Sequence, residues 1–229
     1  MNLGKYEKPI EIQIEDIHLK AFIAIPADSK GIILFAHGSG SGRYSSRNNF
    51  VADFLQKSKL ATVLIDLLTE QEDEDYQNRF NINLLTERLE GIVEWLQTNI
   101  LTDNLPIALF GASTGAAAAL NCAAHLQKDI KAVVSRGGRP DLVIPVLSQV
   151  VSPTLLIVGG NDPPVIEFNK QAYAHLNCTK EFVIVPGASH LFEEPGTLEE
   201  VAKEARKWFV QYIGNNKTSI ASTEELEQS

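Results

Sequence analysis

Residues 111–115 read Gly111-Ala112-Ser113-Thr114-Gly115, directly after the apolar run of residues 106–110 and directly before an alanine-rich stretch at 116–120. A serine between glycines at a strand-to-helix turn has the form of a nucleophile elbow. The turn is sharp and strains its central residue, so the flanking side chains must be tiny and the hydroxyl stands exposed. The plainer alternative is a helix N-cap, with Ser113 capping Ala116. A serine hydroxyl is a poor nucleophile at neutral pH and needs an imidazole to take its proton, with an acid behind the ring. Two later loops supply those groups: Gly159-Gly160-Asn161-Asp162-Pro163-Pro164 and Pro186-Gly187-Ala188-Ser189-His190. Asp162 also reads as a turn aspartate before Pro163, and Glu167 and Asp141 are weaker candidates for the acid because each falls in or at the start of a helical segment. Among the other histidines, His125 and His175 fall late in helical segments, His18 lies in the first hairpin, and His37 belongs to a separate loop that it is expected to brace.

These residues must be carried by elements that bring separate loops together. Isoleucines at 10, 12 and 14 alternate with polar residues, and residues 21–25 follow after a short break, which predicts a half-exposed antiparallel pair. Short apolar runs at 32–35, 62–65, 107–110, 132–134, 154–158 and 182–185 read as strands covered on both faces. Helical spacing occupies roughly 48–57, 80–98, 115–125, 141–150, 165–175 and 198–212. In the second of these, Leu84, Leu85, Leu89, Ile92, Val93 and Leu96 recur at intervals of three and four and form one apolar stripe. Alternating strands and helices imply a mostly parallel sheet of about eight strands with right-handed crossovers. In such a sheet ligands collect at the carboxyl ends of the strands, where Ser113, Asp162 and His190 all fall.

The order serine, aspartate, histidine, each after a strand, resembles that of the α/β-hydrolases. The resemblance spans about residues 10–212 and, within that superfamily, is nearest to the dienelactone-hydrolase-like proteins, which share the size and lack a large inserted cap. It implies an α/β-hydrolase fold, helices on both faces of the sheet, and a catalytic triad of Ser113, Asp162 and His190. Dienelactone hydrolases proper carry cysteine where this chain has Ser113, so the dienelactone itself does not transfer as substrate. The family's glycine-rich oxyanion loop follows the strand that corresponds to residues 32–35. Here that loop is His37-Gly38-Ser39-Gly40-Ser41-Gly42-Arg43. The backbone N–H of Ser39 is its best donor, with Gly38 or Gly40 as alternatives, and the N–H of Thr114 is the partner. A dinucleotide fingerprint would need glycine at Arg43 and would leave the three catalytic candidates unused.

Four arginines, Arg43, Arg47, Arg136 and Arg139, fall near the same edge. Of these, Arg43, Arg136 and Arg139 are candidate substrate-binding residues that would fix an anionic group, unless they pair with the acidic run Glu70-Gln71-Glu72-Asp73-Glu74-Asp75. The 136–153 connection is too short for a lid, so the expected pocket is shallow and takes small soluble esters, lactones or thioesters. Hydrolysis through an acyl-enzyme is the principal reading. Acyl transfer or perhydrolysis on the same triad, and a non-catalytic binding protein that keeps the fold, are the alternatives.

The chain has 229 residues, a formal net charge of −9 and 44% hydrophobic residues, values that suit one globular domain over residues 1–213 and argue against nucleic-acid or anionic-membrane partners. The two cysteines, Cys122 and Cys178, lack metal-ligand spacing, and no cofactor or metal is expected. The absence of a signal-like apolar segment points to the cytoplasm, as a monomer or homodimer. Residues 214–229 are polar and are expected to form a loosely held tail.

Overall fold

The computed structural model describes residues 6–213; the tail expected at 214–229 lies outside them. In chain order the elements are β1 (Tyr6–Ile14), β2 (Ile17–Ile25), β3 (Ile32–Ala36), α1 (Ser46–Gln56), β4 (Ala61–Ile65), α2 (Glu70–Asp73), α3 (Ile82–Thr98), β5 (Ile107–Ala112), α4 (Thr114–Leu126), β6 (Ile130–Arg136), α5 (Ile144–Leu147), β7 (Thr154–Gly159), α6 (Pro163–His175), β8 (Lys180–Val185) and α7 (Thr197–Ile213). The eight strands form one sheet in the order β1-β2-β4-β3-β5-β6-β7-β8. β1 and β2 run antiparallel, β2 pairs antiparallel with β4, and every later pairing is parallel. Only the parallel strands need crossovers, and the helices supply them.

Residue alternation on the strands separates two cores. Ile32, Leu34, Leu109 and Val133 face one side, where the apolar stripe of α3 packs with α4. Ile33, Phe35, Phe110 and Val134 face the other, covered by α1 and α7. The alanines of α4 let it lie close to the sheet, and it is buried along nearly its whole length. A helix apolar on all sides must be enclosed on all sides. The segment read as a helix over 141–150 is instead a 3₁₀ turn, Pro140–Val143, followed by the single turn of α5. Pro140 and Pro145 lack the N–H groups that a longer helix would use at those positions.

Register places the chemistry. Ala36 lies beside Gly111, Ala112 beside Arg136 and Gly159 beside Val185, so the carboxyl ends of β3, β5, β6, β7 and β8 are level. The five loops that follow share one edge. Among the described residues no helix is long and apolar enough to cross a membrane.

Candidate active site

Ser113 joins β5 to α4 with φ 52° and ψ −122°, a conformation that L-residues rarely adopt. It stands at the N-cap position of α4 but makes no side-chain capping bond; its backbone carbonyl accepts instead from the N–H groups of Ala116 and Arg139, each at 3.1 Å. The hydroxyl is thereby left out of the helix's own bonding. The flanking glycines are steric requirements: a Cβ at Gly111 would meet the Ala116 Cα at 2.4 Å, and one at Gly115 would meet the carbonyl oxygens of Ala36 and His37 at 2.3 Å. A methyl group at either place would push the turn open.

Asp162 repeats the pattern. It occupies the N-cap position of α6, ahead of Pro163, and its carboxylate also declines the helix. It accepts a 2.7 Å bond from His190 Nδ1. The carboxylate is mostly buried, with 14% of its side chain exposed against 40% for the imidazole. With Nδ1 donating to Asp162, Nε2 is left with its lone pair, the form a general base requires. The acid and base loops are stitched together: Gly160 N–H donates to Val185 O, Asn161 N–H to Ala188 O, and the Asn161 side-chain amide to Gly187 O. Gly159 permits the crossing, since a Cβ there would lie 2.4 Å from Ala188 O.

The His190 ring stands over the end of β6. A Cβ on Gly137 would come within 3.6 Å of His190 Cε1, and the preceding residue, Arg136, accepts the Ser113 N–H through its carbonyl at 3.3 Å. Serine and histidine thus both lie against one short backbone stretch, Arg136-Gly137. The loop beyond the histidine is closed by Glu194, whose carboxylate accepts the Ser189 N–H at 3.0 Å. That bond holds the Glu194 carboxyl below the usual carboxylate range. Phe192, fully buried at φ 57°, anchors the same loop into the core shared by α1 and α7.

On the other flank, Gly38 lies against the nucleophile, and a Cβ there would sit 2.9 Å from Ser113 Cβ. His37 braces this loop. Its Nε2 accepts the Leu67 N–H at 3.0 Å, so Nδ1 carries the proton and donates to Gly38 O at 2.9 Å. Burial pushes its pKa below the ordinary value, which keeps the ring neutral. The Ser39 N–H donates to Thr114 Oγ1 at 3.1 Å, which ties the glycine-rich loop directly to the residue after the nucleophile.

The arginines divide sharply. Arg43 is held by Asp66 through both its backbone N–H and its guanidinium, and stacks on Phe22 and Tyr44. Arg139 forms a two-bond fork with Asp141, at 2.9 and 2.8 Å, over the ring of Phe168. Arg136 is buried and reaches Asn48 Oδ1 at 3.4 Å, with Phe192 beside it. The acidic run pairs with other cations: Glu70 with Lys20, Asp73 with Arg79 and Glu72 with Arg88. Sequence reasoning passed over Glu194, Phe192 and Asn48, which carry no motif and gain meaning only from the loops they touch.

The dienelactone hydrolase family profile matches residues 19–214. The chain belongs to the dienelactone hydrolase family. A solved dienelactone hydrolase from Anabaena variabilis is 50% identical, with a TM-score of 0.89 over 91% of this chain and 99% of that one. Est1E from Butyrivibrio proteoclasticus, 16% identical, superposes with a TM-score of 0.74 over 90% of this chain and 99% of that one. An esterase domain from a Rhodothermus marinus protein, 18% identical, gives 0.75 over 91% and 100%. These last two show the common fold. Two Mycobacterium tuberculosis proteins named "Putative phosphoribosyl transferase" are 47% identical over 90% of this chain, which spans 47% of their own length. Membership of this family makes the chain a hydrolase-family protein with the mostly parallel eight-stranded sheet described above.

Proposed function

We propose that this chain is a serine hydrolase that cleaves a small carboxylic ester, lactone or thioester through an acyl-enzyme. The observation that carries the reading is the diversion of two N-cap residues at one sheet edge: Ser113 leaves α4 uncapped, and Asp162 leaves α6 uncapped to bind His190 at 2.7 Å. Each gives up a helix cap worth about 1 kcal/mol, a cost that function rather than stability accounts for. In this mechanism His190 Nε2 takes the proton as Ser113 Oγ attacks the carbonyl carbon, and Asp162 stabilises the imidazolium. The tetrahedral oxyanion is received by the backbone N–H of Thr114 and by that of Ser39, which in the structure is spent on Thr114 Oγ1 at 3.1 Å and must leave that hydroxyl to serve as the expected second donor. His190 then protonates the leaving group, and water, deprotonated by the same ring, releases the acid.

Substrate anchoring by Arg43 and Arg139 is not part of the proposal, because Asp66 and Asp141 already occupy their forks. The test pairs a fluorophosphonate probe with a panel of short-chain esters, lactones and carboxylated esters. The probe should label Ser113, and Ser113→Ala should lose turnover by a factor on the order of 10⁶. A native protein that neither takes the label nor turns over any member of the panel overturns the reading.

A further inference from the structure

Arg43 and Arg139 each meet a carboxylate of their own, but among the described residues Arg136 forms no ion pair. It is 7% exposed, and its Nε is buried without a hydrogen-bond partner. Arg47 has the same defect, a buried Nε without a partner. The Arg136 guanidinium reaches Asn48, the residue that follows Arg47 at the start of α1; burial and then the Arg47 charge push its pKa down to about 10, which still leaves it cationic at neutral pH. Arg47 is the second residue of α1, whose N-terminus is capped by Ser45 and so leaves the anion to the side chains. Its ion pair is with Glu193, one bond at 3.3 Å to a carboxylate whose side chain is 64% exposed.

We propose that Arg47 and Arg136 form an oxoanion site beneath the His190 loop, taking a carboxylate or phosphate group. An oxoanion has the charge that Arg136 is not paired with and the paired acceptors that Arg47 finds only singly, in Glu193. Asn48 sets one wall through Arg136, and Phe192, two residues beyond His190, forms another. Occupancy therefore bears on catalysis from below: Arg136 holds the Ser113 N–H through its carbonyl, and its guanidinium underlies the loop that carries the base. Glu193 competes for Arg47 from the solvent side. Anion binding is independent of hydrolysis, whereas any effect on substrate choice rests on the reading above.

The test uses the full chain carrying Ser113→Ala, with inorganic phosphate titrated by calorimetry at constant ionic strength. Saturable binding is expected. Arg47→Gln should weaken it at least about tenfold, and Glu193→Gln, which removes the competing carboxylate, should tighten it by roughly 3- to 10-fold. Tightening is a response that a merely damaged fold cannot give, so it stands even where Arg136→Met fails to fold. The wild-type chain then identifies the source of the anion. If the group belongs to the substrate, phosphate raises KM for p-nitrophenyl hemisuccinate and not for p-nitrophenyl acetate. If it is free, phosphate shifts kcat for both esters alike. No saturable binding, or binding untouched by both Arg47→Gln and Glu193→Gln, overturns the proposal, and does so whether or not Ser113 proves to be a nucleophile.

Discussion

On one flank of Ser113, Asp162 and His190 are joined through side chains, Asn161 ties their loops together, and Glu194 closes the histidine loop on itself. On the other flank, Gly38 and Ser39 contribute backbone, and the one side chain with a large share, His37, is neutral and spends both ring nitrogens on main-chain groups. The first flank depends on charge and on which atoms carry protons. The second depends on the direction of N–H bonds. Substitution by alanine therefore tests the two flanks unequally, since it deletes an imidazole or carboxylate but leaves every backbone donor in place.

The sharpest way to break this contrast is in the acid and base. His190→Ala should cost a factor on the order of 10⁶ in kcat, and Asp162→Asn about 10⁴, because an amide facing Nδ1 favours the wrong tautomer. Equal and small losses, measured by steady-state turnover of the best ester, would show that the 2.7 Å bond is only structural. Next comes the backbone flank. Ser39→Pro removes the N–H and should lower kcat by about 10²–10³, whereas Ser39→Ala retains it and should stay within a few-fold. If the two variants behave alike, the donor is Gly38 or Gly40 instead.

A smaller effect is expected at Thr114. Thr114→Val removes the acceptor of the Ser39 N–H but keeps its own N–H, so a change of no more than about tenfold in kcat should follow, in line with one hydrogen bond. The smallest change is in stability. His37 has its pKa lowered by burial, from an ordinary value near 6.5, so the unfolded chain binds more protons than the folded one below that value. Stability should thus fall as pH drops through 6.5 towards the lowered value, and His37→Asn should flatten that part of a urea-denaturation profile. A variant as acid-sensitive as the parent would assign the loss to other groups.

How far these features can be read in the sequence depends on the range of the interaction that creates them. The doubly covered strands were legible because burial on both faces demands unbroken apolar runs, as in Ile32–Ala36 and Thr154–Gly159. β1 reaches back to Tyr6, beyond the start of the clean alternation, because pairing with β2 continues through polar residues and Pro9 at the sheet edge. The region 141–150 misled because its apolar content is real but prolines divide it. Asp141 could have been read as the partner of Arg139, two residues away. Asp66 lies 23 residues from Arg43, and no local pattern links them.

By itself the sequence determined the kinds and order of the reacting groups: a serine in a glycine-bounded turn, then an aspartate, then a histidine, each after an apolar run. Such features are local, set by backbone sterics and by what a buried strand must contain. Only the tertiary structure decided that Asp162 turns from its helix to His190, that His37 is a neutral strut, and that two arginines are neutralised while Arg136 and Arg47 are left with unmet donors. Those outcomes depend on where long side chains meet across five loops. Register between strands controls those meetings, and no short stretch of sequence contains it.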